Sequence, residues 1–187
     1  MKATGIVRRI DDLGRVVIPK EIRRTMRIRE GDPLEIYTDR EGEVIFKKYS
    51  PIGELVDFAG QYAESLYKTC GSAVAVCDRD SVIAISGAPK KEYMDKKISS
   101  QVDDVIENRA LFTNRGSQPA VPLTDDGRCA LYLTCAMPIF AEGDVIGCVA
   151  MLSQADTFDK RTEKNMLETS VKLIQTAAVF LGKQVEG

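Results

Sequence analysis

The chain has 187 residues, 44% of them hydrophobic and 29% charged, a composition that excludes a disordered or fibrous protein. Its net charge of −2 divides unevenly: nine Lys+Arg stand against three Asp+Glu up to Arg29, residues 30–50 carry −3 and residues 51–187 carry −5. Histidine is absent, which removes Ser-His and Cys-His catalysis and the commonest metal ligand, and no apolar run approaches the roughly 18 residues of a membrane-spanning helix.

In chain order, Gly5 to Ile10 alternates as a strand with one buried face, Asp11-Asp12-Leu13-Gly14 makes a turn, and Arg15 to Ile18 is a second, β-branched strand. Pro19 stands where a helix can begin without losing a hydrogen bond, and the helix is expected to run to about Ile28. Glu30-Gly31-Asp32-Pro33 breaks it. Leu34 to Thr38 alternates as a third strand, Arg40-Glu41-Gly42 is a hairpin turn, and Val44 to Lys47 is a fourth strand. A module of fifty residues buries too little apolar surface to be secure alone. No disulfide or metal is available to it, so it is expected to dimerise, with the strands of two chains closing into one shared barrel and leaving no open edges.

The short helix carries the most informative spacing. Ile18, Ile22 and Met26 form a narrow apolar stripe, while Lys20, Arg23, Arg24 and Arg27 recur at i, i+3, i+4 and i+7. Like charges at this spacing repel, and no acid within the stripe relieves them. Arg8, Arg9 and Arg15 extend the positive field, and two-fold symmetry doubles it. Such a surface suits phosphates by counterion release, and the planar fork of arginine suits guanine edges in the major groove. A solvated basic face is the plainer alternative.

The run Thr4 to Pro19, continued by Glu21-Ile22-Arg23-Arg24-Thr25 and Leu34-Glu35-Ile36-Tyr37, resembles the AbrB-type swapped-hairpin DNA-binding domain of bacterial transition-state regulators. The resemblance covers almost all of residues 1–50 and implies an intertwined dimeric barrel in which Arg8, Arg15, Arg23 and Arg24 face double-stranded DNA. Arg9, Lys20 and Arg27 join that candidate set from the charge pattern and the helical stripe.

Ser50-Pro51-Ile52-Gly53 marks the boundary to a second module, residues 51–187. Leu55, Phe58, Ala59, Tyr62, Ala63, Leu66 and Tyr67 follow the amphipathic-helix template to a stop near Gly71. Ala73 to Cys77 and Val82 to Ser86 read as strands, Ala88-Pro89 opens a polar helix expected to reach about Asn108, and Thr113 to Gly127 is a long polar loop. Cys129 to Phe140 and Val145 to Leu152 read as a strand pair turning at Ala141-Glu142-Gly143-Asp144. A last helix over about Asp159 to Lys183 carries two apolar stripes, one with Leu167, Val171, Ile174, Ala178 and Leu181, the other with Met166, Leu173, Ala177 and Phe180. One stripe faces the sheet; the other calls for a second copy, which with the first helix makes a four-helix contact and hence a tetramer.

This order of elements resembles a GAF-type sensor domain, with a PAS-type domain as the alternative, so the whole chain is expected to be α+β: a swapped-hairpin barrel followed by a GAF-like domain flanked by long helices. Together the two modules resemble a family of transcription regulators of the developing spore in endospore-forming bacteria, which implies a cytoplasmic protein bound to the nucleoid, in the forespore. The polar loop is placed to cover a small-molecule ligand between sheet and loops, and a ligand-free dimerising domain is equally consistent with the pattern. Cys70, Cys77, Cys129, Cys135 and Cys148 have neither disulfide nor zinc spacing and read as reduced thiols. No cofactor, metal or catalytic residue is expected. An antitoxin-like interaction protein built on the same barrel is the second reading, and an enzyme the least favoured.

Overall fold

A computed structural model of the chain describes residues 5–114, 119–126, 131–154 and 163–187, the first four of the last stretch by their backbone alone. It divides into two compact units, Met1–Tyr49 and Ser50–Gly187.

In the first unit, Pro19 precedes helix α1 (Lys20–Met26), where its fixed φ is already close to helical. The hairpin of β1 (Leu34–Thr38) and β2 (Val44–Lys48) pairs antiparallel from Leu34 opposite Lys48 to Thr38 opposite Val44. The Asp39 carboxylate accepts the Glu41 and Glu43 backbone N–H groups at its tip. The two strands expected over 5–10 and 15–18 do not form within one chain. Asp11 N–H donates to the Arg15 carbonyl at 3.0 Å, yet neither segment builds a ladder, because a strand exists only where a second backbone runs beside it. Val7, Ile10, Leu13 and Val17 are consequently 69–86% exposed, and no described residue of this unit is buried.

The second unit is a five-stranded antiparallel sheet between two helical layers. A 3₁₀ turn (Pro51–Leu55) leads into α2 (Val56–Cys70), which Gly71 ends in the left-handed conformation. Strands β3 (Ala73–Asp78) and β4 (Val82–Ser86) follow, then α3 (Lys90–Tyr93) and α4 (Ser100–Glu107). The short β5 (Phe112–Thr113) precedes the long pair β6 (Leu131–Ala141) and β7 (Asp144–Gln154), and α5 (Glu163–Glu186) closes the chain. Strand order is β4-β3-β7-β6-β5. Ile52, Ala63, Leu66, Val76, Met151, Ile174 and Leu181 pack on one face of the sheet, and Ile85, Tyr93, Ile98, Ile106, Leu123 and Leu133 on the other. Covering on both faces explains why β7 is apolar along nearly its whole length instead of alternating.

The single polar helix expected over 88–108 is two helices. Asp95 turns at φ 60°, Ile98 is fully buried and bridges to Thr124, and Ser99 then caps α4, its Oγ accepting the Val102 N–H at 3.1 Å while donating to the Pro122 carbonyl at 2.7 Å. Thr113, the first residue of the expected polar loop, belongs to β5. The last helix continues beyond Lys183 to Glu186, whose Oε1 accepts the Glu142 N–H at 2.7 Å. Of its two apolar stripes, Ile174, Ala177, Ala178 and Leu181 are buried, whereas Phe180 is part-exposed and packs 5.6 Å from the rings of both Phe58 and Tyr62 on α2. Cys129, residues 115–118 and 127 of the polar loop, residues 159–162 and the Met166 side chain lie outside what is described.

Among the described cysteines, Cys77, Cys135 and Cys148 are buried and Cys70 is half-buried, all unpaired by disulfides. Cys77 faces Cys148 across β3 and β7; their hydrogen bond, with burial, pushes the Cys77 thiol well up. Burial raises Cys135 to about 11. Thiols held protonated and out of solvent are poor nucleophiles.

Candidate nucleic-acid interface

The basic side chains are set on three local devices. The first is the turn at residues 11–14. Gly14 takes φ 76°, a conformation costly for any residue with a Cβ, and its N–H donates to the Asp11 carbonyl at 3.0 Å. Asp11 Oδ1 accepts the Leu13 and Arg15 N–H groups at 3.0 and 2.7 Å, and Oδ2 takes Arg15 Nε at 2.8 Å. The Arg15 backbone N–H and then its guanidinium hold the Asp11 carboxyl below its usual range. Arg15 is thereby aimed by its neighbour while remaining largely exposed. Arg8 and Arg9 lie exposed just before this turn.

The second device is α1, which brings Lys20, Arg23 and Arg24 onto one exposed face. The third is its end. The helix stops at Met26, and Arg27 takes φ 51°. The Ile28 N–H reaches back to the Arg23 carbonyl at 2.8 Å and the Arg27 N–H to that of Arg24 at 3.3 Å, the paired bonds of a Schellman cap. Arg27 therefore departs from the stripe of the other three and sits half-buried where glycine is the usual occupant. The expected stripe of four is a stripe of three with a fourth cation at the helix end.

Two residues that support this surface escape a reading by local spacing. Lys48, the last residue of β2, donates from Nζ to the Arg27 carbonyl at 3.0 Å and stands 3.4 Å from Asp32 Oδ2. Asp32 Oδ2 also accepts the Arg29 N–H at 2.8 Å. Only the hairpin register, which sets Leu34 opposite Lys48, brings these residues together.

In the second unit, α2 and α5 present Phe58, Tyr62, Val179 and Phe180 as an apolar seam, with Val179 57% exposed. No helix of the described residues is long and apolar enough to cross a membrane.

Comparison with known proteins follows the same division. Residues 54–186 match the family described as Stage V sporulation protein T C-terminal, transcription factor, and residues 7–53 match Antidote-toxin recognition MazE, bacterial antitoxin. The chain is 51% identical over 186 residues to stage V sporulation protein T of Bacillus subtilis (strain 168), covering 100% of this chain and 99% of that protein. Over 51 residues it is 65% identical to the transition state regulatory protein AbrB of the same strain, 27% of this chain and 52% of AbrB. Among solved structures, a type II free methionine-R-sulfoxide reductase from Thermoplasma acidophilum covers 72% of this chain and 94% of its own at 10% identity and a TM-score of 0.50, a likeness of fold alone.

Proposed function

The chain belongs to the stage V sporulation protein T family of transcription factors, and from that premise we infer that it is a DNA-binding regulator of sporulation genes whose first unit grips the duplex. The observation that carries the reading is the exposed arginine surface of the first unit, +6 up to Arg29 in a chain of net charge −2. Residues 1–50 act as the DNA-binding domain, with Arg8, Arg15, Arg23 and Arg24 on the duplex and Arg9, Lys20 and Arg27 adding phosphate contacts. The bare apolar positions Val7, Ile10, Leu13 and Val17 are covered by a second copy, whose strands supply the ladder that one chain lacks. Residues 51–187 act as a GAF-like domain that sets assembly. Its α2 and α5 seam joins two dimers into a tetramer, and its loop side is the place for any small ligand. The protein works in the cytoplasm on the nucleoid of the forespore, without catalysis or cofactor.

Titrating a labelled duplex with the full chain tests the reading. A dimer making ~6 to 10 phosphate contacts loses ~10³ to 10⁵ in affinity between ~50 and ~200 mM salt. A duplex ignored in dilute buffer, or held with no dependence on salt, counts against it. A sharper consequence concerns Arg27. A left-handed residue with a Cβ costs roughly 1 kcal/mol, so Arg27→Gly raises the melting temperature while lowering duplex affinity and flattening the salt slope by about 1 for each charge lost. Thermal melting and anisotropy titrations read the two opposed effects.

The antitoxin match over residues 7–53 favours a second reading, toxin binding by the same barrel. An antitoxin of that sort usually ends in a short extended tail. Residues 50–187 are instead a unit with apolar packing on both faces of its sheet, which favours the regulator.

A further inference from the structure

Helix α1, which carries Lys20, Arg23 and Arg24, has seven residues, no buried side chain and no side-chain cap at its start. An isolated helix of that length does not persist in water, and none of its side chains is fully buried within one chain. Its far end is held from outside. Lys48 Nζ donates to the carbonyl of Arg27, the left-handed residue that caps the helix, at 3.0 Å, and a cation there also opposes the negative end of the helix dipole. Asp32 stands 3.4 Å from that ammonium and accepts the Arg29 N–H at 2.8 Å. Its side chain is 3% exposed and that of Lys48 21%. The Tyr49 N–H donates to the Pro33 carbonyl at 3.0 Å, so residues 32–33 and 48–49 close together behind the helix end.

We propose that Asp32 and Lys48 are positioning residues for sequence reading: by fixing the C-terminal end of α1 they hold Arg23 and Arg24 where their side chains reach base edges. The proposal rests on the reading of the first unit as a duplex-binding surface. The Asp32 side chain is almost wholly out of solvent and of the wrong sign to meet phosphate, so its effect on DNA passes through the helix. Phosphate attraction acts over roughly a Debye length of 8–10 Å and tolerates small shifts of a cation, whereas hydrogen bonds to base edges have fixed geometry and carry the sequence information. Loosening the clasp therefore removes selectivity and leaves general attraction in place.

The test compares the full-length wild-type chain with Asp32→Asn, Lys48→Met and Lys48→Arg on two labelled duplexes: one recovered by the wild-type chain from a random-sequence pool, and a shuffled duplex of the same composition. Asp32→Asn and Lys48→Met are expected to lose roughly tenfold on the selected duplex, the scale of one bidentate base contact, with affinity for the shuffled duplex and its salt slope unchanged. Lys48→Arg keeps a donor for the Arg27 carbonyl and restores the preference. Equal losses on both duplexes that follow the unfolded fraction by circular dichroism make the pair merely structural and overturn the proposal, as does an unchanged preference. Should Asp32→Asn not fold, the contrast between Lys48→Met and Lys48→Arg decides the same question. A wild-type chain that recovers no duplex at all sinks the reading of the first unit itself.

Discussion

Replacing Arg23 and Arg24 together by alanine abolishes the gel shift of a DNA duplex and leaves the melting temperature where it was or slightly higher. Both side chains are exposed on a helix with nothing buried. What the two residues give the fold is backbone: Arg23 N–H bonds the Pro19 carbonyl at 3.0 Å, and their carbonyls accept the capping N–H groups of Ile28 and Arg27. Alanine keeps all of these and is the best helix former. It also removes the repulsion that Lys20 exerts on residues three and four positions ahead, a few tenths of a kcal/mol per pair. Binding moves the other way. A dimer loses four cations, and with them about 1 unit of salt slope each and at least one bidentate contact per half-site, worth about 1–3 kcal/mol apiece. Together these amount to a loss of at least about a hundredfold. Retained binding, or a loss accompanied by a lowered melting temperature, would place the duplex elsewhere on the protein.

That surface was legible because it depends on side-chain charge at helical spacing, which needs no knowledge of the rest of the chain. Lys20, Arg23 and Arg24 share a face wherever residues 20–24 are helical. Arg27 was not legible, because the cap that diverts it uses a left-handed residue that is not glycine, and the usual stop signal is missing at that position. The β1–β2 hairpin and the template of α2 showed for a similar reason: each is a period within one short run, alternation in the hairpin and helical spacing in α2. The split of the 88–108 region was hidden because Ile98 is buried in the apolar core and bridges to Thr124, a neighbour distant in sequence, while Lys96 and Lys97 beside it look like a solvated helix face. The segments 5–10 and 15–18 teach a different lesson. Their alternation is a pattern of the sequence, but a strand is a property of two backbones, and the alternation in one chain does not say which chain provides the second. The Asp32 and Lys48 clasp belongs with Ile98, since its partners meet only through the hairpin register.

Gly182→Ala reverses the sign that helix propensity assigns to it. Within a helix, alanine is favoured over glycine by about 1 kcal/mol, and α5 runs through Gly182 without a break. A Cβ at this position would nevertheless collide with the Phe140 carbonyl oxygen, with Ile139 Cγ2 also in contact at 3.7 Å. Neither element can yield cheaply. Phe140 is paired with Val145 in the β6–β7 ladder, and its ring lies 5.2 Å from the Arg109 guanidinium. Arg109 in turn donates from Nη2 to the Gly143 carbonyl at 2.5 Å. On the helix side, Leu181 and Ala178 are buried against the sheet, so lifting α5 away opens the core beneath them. Overpacking of this kind costs about 1–3 kcal/mol, enough to outweigh the propensity gain and lower the melting temperature of the second unit. The arginine surface of the first unit is untouched, so duplex affinity measured well below the transition stays at the wild-type value per dimer. A melting temperature that rises on Gly182→Ala would mean that α5 stands clear of β6 in solution, and the seating of the helix that carries Phe180 and Val179 would have to be redrawn.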